Sequence, residues 1–356
     1  MTKQSRYFLL GSAALLVMGL GGGLVAYFTY NRVQTLPGGL PDELRYVPAS
    51  AELVAYAHVS TIMNSDLRRG LEDAASSQGR SRREIRDFSG IDLEKQVDHV
   101  VGYLESMAGS SGSDAVQAGP PKGLMLAQGT FDQARVEQFI REHGGTIEDY
   151  HGRHIAIYHD VPRQGGRQGG GPPRPPQDRA IGFVRQDLIA VGDVDLVRQA
   201  LDQSSAADNV TANSDLMKLI REAAGDTVWA VGRFDAVSRR MGIPMSLRQQ
   251  VPPLRLVSAR AHVNGGVKTT IRADTADQAA ADQVREVARG FISLIRLQAG
   301  SRPEVERTLK SIELGGEGNT VHLSFVLTPE AIRAIAPQRS PRSDVPQAPP
   351  PPPSQR

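Results

Sequence analysis

The side chains best suited to metal chemistry lie in the segment HGRHIAIYHD. It contains His151, His154, His159 and Asp160, and imidazole and carboxylate groups are common protein ligands of zinc and copper. The segment also has the composition of a β-strand, in which side chains alternate between two faces. His154 and His159 would then point in opposite directions, so at most a pair of these residues converges. We expect ordinary surface or half-buried histidines here, and no metal site.

A second candidate site is the Gly-, Pro- and Arg-rich segment 162–179, PRQGGRQGGGPPRPPQDR. Its arginines are Arg163, Arg167, Arg174 and Arg179. With Asp178 as the one opposing acid, the segment could hold anionic lipid head groups or envelope polymers through salt-dependent contacts. Because it has little apolar area to bury, the sequence predicts a flexible loop, for which a solubilising role is the simpler interpretation.

Catalytic motifs are absent from the sequence. It contains no G-x-S-x-G elbow, S-x-x-K, H-E-x-x-H or P-loop. It also has no cysteine, which excludes disulfides, thiol catalysis and Cys-ligated metals. The net charge of +2 gives no indication of a nucleic-acid partner. We therefore predict no enzyme activity and no cofactor, although a site assembled from distant residues leaves no motif.

Residues 7–30, YFLLGSAALLVMGLGGGLVAYFTY, contain no charged side chain. A helix of this length, at about 1.5 Å per residue, crosses a hydrocarbon core of about 30 Å. Lys3 and Arg6 precede the span without any acid, so the positive-inside rule places the N-terminus in the cytoplasm and the rest of the chain outside. Aromatic side chains at both ends suit the membrane interfaces: Tyr7, Phe8, Tyr27, Phe28 and Tyr30.

A cleaved signal peptide is the alternative for the same segment. Residues 8–20 have the length of an h-region, but the apolar run continues past the small residues Gly21 and Gly23. We therefore expect this segment to be retained as a membrane anchor. Gly19 and Gly23 also form a GxxxG pair, a motif of transmembrane helix dimers, but nothing else in the sequence supports a homodimer.

Beyond the span, the sequence predicts an α+β fold. Residues 31–50 have the Pro and Gly content of a stalk. Strands joined by tight glycine turns such as NGG, 264–266, pair antiparallel, so we expect antiparallel sheets with helices packed on one face. Recurring strand–helix units suggest two α+β halves, residues 51–208 and 209–336, each with its own sheet. The Pro-rich segment 337–356 is predicted to be a disordered tail.

Two helix starts in the first half are indicated by capping residues. Asp132 precedes QARVEQFIREH and is expected to cap this helix, which Gly144 ends. Ser60 or Thr61 is expected to cap a helix that begins at Ile62.

The clearest predicted helix follows a capping box formed by Thr275 and Gln278. Its apolar residues recur with a 3.6-residue period, which predicts one buried stripe. The stripe contains Val284, Val287, Ala288, Phe291, Leu294 and Ile295.

The segment RYVPASAELVAYAHVS, after a span and a Pro-rich stalk, resembles the start of uncharacterised exported bacterial proteins. The C-terminal hairpin IELGGEGNTVHLSF extends the likeness. This group, a domain of unknown function anchored by one N-terminal helix, implies a location in the bacterial envelope. The resemblance carries over no functional residue.

Together these features favour a non-catalytic interaction or structural module, held outside the membrane to contact other envelope proteins or anionic polymers. The alternative is an extracytoplasmic ligand-binding or sensory domain with a pocket between the two halves. A hydrolase assembled from dispersed residues is the third hypothesis.

Overall fold

The computed structural model describes residues 39–65, 96–105, 122–160, 177–202, 208–240, 254–298 and 303–331. The strands are β1 (Ala51–Ala57), β2 (Val97–Glu105), β3 (Gly123–Gly129), β4 (Thr146–Tyr150), β5 (Arg153–Asp160), β6 (Gln177–Arg185), β7 (Leu188–Asp193), β8 (Val228–Arg233), β9 (Leu254–Val263), β10 (Val267–Thr275), β11 (Glu313–Gly315) and β12 (Thr320–Leu327). The helices are α1 (Val59–Met63), α2 (Gln133–Glu142), α3 (Val194–Asp202), α4 (Ser214–Ala223), α5 (Phe234–Arg240), α6 (Gln278–Gln298) and α7 (Pro303–Lys310). Two short 3-10 helices are Asp42–Tyr46 and Val210–Ala212.

The strands form one 12-stranded sheet in the order β11-β12-β10-β9-β8-β1-β2-β3-β7-β6-β5-β4. Every neighbouring pair is antiparallel. The predicted α+β class with antiparallel pairing is therefore confirmed. The expectation of two sheets is wrong, because β1 pairs with β8 over Leu53–Ala57 and so joins the two sets of strands. A pattern within each half cannot reveal this pairing, which links residues far apart in the chain.

Helices cover both faces of the sheet, so the prediction of helices on one face is also wrong. On one face, α3 and α4 pack against Tyr56, Trp229 and their neighbours. On the opposite face, α1 and α2 pack in a second apolar cluster that contains Ala57 and Ile189. The physical reason is that central strands such as β1 are apolar at successive positions, so both faces must be shielded from water.

Part of the predicted stalk belongs to the folded core. Within residues 39–50, Leu44 and Val47 are fully buried in the cluster with α3 and α4. The backbone N–H of Val210 donates to the carbonyl of Val47 at 2.7 Å, and Pro48 forms an isolated bridge with Asn209. The chain therefore enters its folded part some ten residues before β1.

The local capping predictions have mixed outcomes in the first half. Asp132 caps α2 by accepting a hydrogen bond from the N–H of Arg135 at 3.1 Å, and Gly144 follows the helix with a φ of 83°, as predicted. The first helix starts earlier than expected. Its cap is His58, whose Nδ1 accepts from the N–H of Thr61 at 3.2 Å.

The predicted capping box of the long helix is wrong, although the helix itself is confirmed. Asp277 is the cap, because its Oδ1 accepts a hydrogen bond from the N–H of Ala280 at 2.8 Å. Thr275 is buried at the end of β10, where its hydroxyl donates to the carbonyl of Asp277. The predicted stripe is only partly shielded: Val287 is 61% exposed, and Ala280 and Ala281 are the buried residues of α6.

The remaining expectations about the chain ends fall outside the described residues. These are the span 7–30 with its aromatic residues and its Gly19–Gly23 pair, the first part of the stalk, and the tail 337–356. Among the helices that the structure describes, none has the length and apolarity needed to cross a membrane.

Candidate functional site

The candidate metal-ligating residues of the segment HGRHIAIYHD are separated in the structure. His151 lies at the turn between β4 and β5, 3.3 Å from Asp202. The side chain of His154 contacts Glu137 of α2, 2.8 Å away. Each of these histidines therefore has its own carboxylate partner.

His159 contacts Asp178 on the neighbouring strand β6. Asp160 pairs with Gln177 at the end of the same two strands. Among the described residues, no three His, Cys, Asp or Glu side chains are close enough to hold a metal ion. The alternation of side chains along β5 accounts for the separation, because His154 and His159 lie on opposite faces.

The predicted arginine cluster is only partly described. Arg163, Arg167 and Arg174 lie outside the described residues. Arg179 belongs to strand β6 and not to a loop, and its Nη1 donates to Asp193 Oδ2 at 2.8 Å. The predicted loop 162–179 therefore extends too far at its C-terminal end, and the charge of Arg179 is neutralised by a carboxylate on β7.

A buried polar cluster that the sequence did not indicate lies beneath the N-terminal 3-10 helix. Glu43 is 1% exposed, and its Oε2 lies 3.2 Å from Nε2 of His99 on β2. Its other oxygen, Oε1, is buried and has no hydrogen-bond partner among the described residues. Burial raises the pKa of Glu43, but the hydrogen bond and charge of His99, with the charge of Arg185, bring the pKa below its ordinary value.

His58 is the second buried histidine of this cluster. Its ring lies 6.3 Å from the ring of His99, measured between centroids. Its Nδ1 is 3.1 Å from the hydroxyl of Ser60 and also caps α1. Burial and the neighbouring charge of His99 lower the pKa of His58, against the opposing effect of Asp98. The Ser60–His58 contact has the elements of a nucleophile and a base, but both side chains are buried and Nδ1 serves as a helix cap.

A concave site opens where the two sets of strands meet. It is a pocket of about 300 Å³, which we call the seam pocket. It lies between the start of β1, the end of β8, the start of β9 and the first turn of α4. Its lining residues are Ala49, Ser50, Ala51, Asn213, Asp215, Leu216, Arg233, Arg255 and Leu256.

Several polar side chains of the seam pocket are used within the protein. The hydroxyl of Ser50 donates to Glu105 Oε1 at 3.0 Å. Asn213 donates through Nδ2 to the carbonyl of Ala49 at 3.4 Å, and its Oδ1 accepts from the N–H of Leu216. These two side chains therefore shape the wall of the pocket and have little capacity left for a ligand.

The two arginine side chains of the seam pocket, unlike those of Ser50 and Asn213, form no hydrogen bond with the described residues. Arg255 Nη2 lies 4.0 Å from Asp215 Oδ2, at the outer limit of an ion pair, and both side chains are about two-thirds exposed. The side chain of Arg233 has no hydrogen bond or ion pair within the part of the chain that the structure describes. Its guanidinium group is consequently available to a ligand.

Sequence reasoning missed the seam pocket because four separate segments build it. Residues 49–51 and 213–216 are brought together by the packing of the N-terminal segment on α4. Arg233 and Leu256 are partners in the β8–β9 pairing. The sequence offers one general signal, the pocket expected between two α+β halves of a ligand-binding domain, and this signal identifies none of the lining residues.

The chain shows little similarity to known proteins. No family model and no curated protein matches it. Among solved structures, crystal form I of TP0453 is similar over 83% of this chain and 96% of its own chain, with 8% sequence identity and a TM-score of 0.44.

Proposed function

We propose that this protein is a membrane-anchored, extracytoplasmic ligand-binding module. The observation that carries the proposal is the seam pocket, whose wall is built jointly by the entry to β1 and by β8, β9 and α4 of the second half. Binding sites tend to be concave and to lie between structural units, with a few polar groups available to the ligand. The position of the pocket supports ligand binding over the non-catalytic interaction or structural module that the sequence first favoured.

The proposed location depends on the N-terminal sequence. The uncharged segment 7–30 is long enough to cross a bilayer, and Lys3 and Arg6 favour a cytoplasmic N-terminus. Eleven residues, 31–41, separate this segment from the 3-10 helix that packs on the sheet. Fully extended, they reach at most about 40 Å, so the ligand-binding part would remain close to the bacterial inner membrane.

Limited protease digestion tests the location. A C-terminal tag on the full-length protein should be removed by protease added to spheroplasts, and a membrane-bound N-terminal stub should remain. Protection of the tag until the membrane is lysed would reverse the proposed topology.

Ligand binding is tested with full-length protein in detergent and a small-molecule extract of the cell envelope. Binding is followed by mass spectrometry of retained compounds. We expect Ser50→Trp, which places a large ring in the exposed wall of the pocket, to abolish retention. Thr146→Trp, on the exposed edge strand β4, is the matched control and should retain the same compounds. Equal retention by both variants would exclude the seam pocket as the binding site.

An interaction module is the second candidate, favoured by α6. Val287 and Leu297 on this helix are 61% and 83% exposed, and we propose that they belong to an apolar surface that binds another protein, because apolar surface patches mark such sites. Crosslinking from position 287 in intact cells tests this function. Recovery of a specific envelope protein would support it, and crosslinks that do not exceed those from an exposed polar position such as Lys268 would count against it.

A further inference from the structure

The arginines of the described strands divide into two groups by their contacts. The first group has five members, each with a hydrogen bond of 3.3 Å or less to a carboxylate or a carbonyl: Arg153, Arg179, Arg185, Arg260 and Arg272. Arg233 and Arg255 form the second group, because neither has such a bond within the described residues. Both members of the second group line the seam pocket.

The difference between the two groups of arginines bears on what the seam pocket can bind. A guanidinium group carries five N–H donors in a planar fork, which favours bidentate and charge-assisted hydrogen bonds to an anionic acceptor. Where the described residues supply no hydrogen-bond acceptor to two such groups in the same concave site, water solvates both groups, and an anionic ligand that enters the site can replace that water. The balance of charge in the pocket is also positive, with Arg233 and Arg255 opposed by Asp215.

We infer that the seam pocket binds a small solute through an anionic group, a carboxylate or a phosphate, with Arg233 as the main contact and Arg255 as the second. This inference rests on the proposed ligand-binding function and specifies its chemistry. Planar guanidinium groups match both anions in geometry. A volume of about 300 Å³ lies at the small end of ligand sites, which suits a small molecule or a single head group.

Asp215 has a defined part in this arrangement. Its carboxylate lies on the first turn of α4 and competes with the ligand for Arg255, at 4.0 Å. Binding of an anion must therefore overcome repulsion by Asp215, whereas Arg233 has no internal competitor. The order of contributions follows: Arg233 contributes most to binding, Arg255 contributes less, and Asp215 opposes it.

The test is isothermal titration calorimetry of full-length protein in detergent with three probes: inorganic phosphate, glycerol 3-phosphate and succinate. Arg233→Gln should weaken binding of the preferred anion by about tenfold or more, since a hydrogen bond to a charged group contributes about 1.5–3 kcal/mol. Arg255→Gln should weaken it by a smaller factor, and Asp215→Asn should tighten it. Arg260→Gln is the matched control, because Arg260 lies on β9 outside the pocket and already contacts Glu222 and Asp226.

The outcomes separate the inference from the proposed function. A preference for glycerol 3-phosphate would indicate a lipid head group as the source of the anion, and a preference for phosphate or succinate a free solute; either supports the inference. Failure of all three anions to bind, or equal affinity in wild type and Arg233→Gln, overturns it. If an uncharged compound from the envelope extract is still retained by wild type and lost by Ser50→Trp, the ligand-binding function stands while its anionic chemistry is rejected.

Discussion

The carboxylate of Glu43 contacts the imidazole of His99 at 3.2 Å in the interior of the protein. This contact joins the 3-10 helix Asp42–Tyr46 to the central strand β2. Burying a carboxylate is costly unless a partner compensates for the lost hydration. The Glu43–His99 contact therefore holds the 3-10 helix Asp42–Tyr46 against the sheet, together with the burial of the apolar side chains of Leu44 and Val47.

Removing Glu43 should destabilise the protein. We expect Glu43→Ala to lower the free energy of unfolding by about 2–4 kcal/mol, because it leaves His99 without its partner and opens a space in the core. Asp42→Ala, in the same 3-10 helix but with a side chain 79% exposed, should change it by no more than about 0.5 kcal/mol. Urea denaturation, followed by fluorescence of the single tryptophan, Trp229, measures both values. Equal effects of the two variants would show that the buried Glu43–His99 pair contributes nothing to the free energy of unfolding.

The stability should fall as the solution becomes acidic. The pKa of His58 is lowered in the folded protein from its ordinary value of 6.5, so below about pH 6.5 the unfolded chain binds a proton that the folded protein binds less readily. Stability from this group is therefore complete above pH 6.5 and is lost as the pH decreases towards the folded pKa. The lowered pKa of Glu43 acts in the same direction at lower pH, below its ordinary value of 4.5.

Denaturation curves between about pH 5 and pH 8 check this dependence. His58→Asn, which keeps an oxygen for the N–H of Thr61, should flatten the change of stability with pH in this range. His322→Asn, an exposed substitution on β12, should leave it as in wild type. A slope that survives in His58→Asn would assign the effect to other groups.

Two glycine substitutions should have opposite effects. A Cβ at position 129 would lie 1.8 Å from the backbone oxygen of Gln96, so Gly129→Ala should destabilise the protein by about 2 kcal/mol or more. A Cβ at position 290, within α6, would meet no atom within 4 Å, so Gly290→Ala should stabilise it by about 0.5–1 kcal/mol. Thermal denaturation distinguishes the two. Loss of stability in Gly290→Ala would mean that α6 has a neighbour that the described residues do not include.

The cap of α2 should also make a measurable contribution. Asp132→Ala removes the acceptor of the Arg135 N–H and should cost about 0.5–2 kcal/mol. Gln138→Ala, an exposed change within the same helix, is the control and should be nearly neutral. If the two variants have the same stability, the hydrogen bond from Arg135 does not contribute to the stability of α2.

The sequence by itself determined the local structure. The alternation of apolar residues, the turn at 264–266 and the cap at Asp132 depend on side chains only a few positions apart. These interactions identify antiparallel strands and helices of an α+β protein. The same reasoning located His154 and His159 on a strand and predicted that they would point to opposite faces, because the period of a strand is two residues.

The tertiary structure alone decided where distant residues meet. The pairing of β1 with β8 makes one sheet from two expected ones, and it also creates the seam pocket with Arg233 and Arg255. The Glu43–His99 contact likewise joins residues that no local pattern relates. The capping predictions at Thr275 and Ser60 were wrong for the same reason. The hydroxyl of Thr275 donates to the carbonyl of Asn319, which is distant in the sequence. His58, and not Ser60, caps α1. Local periodicity specifies elements, whereas the burial of their apolar faces selects partners among residues widely separated in the chain.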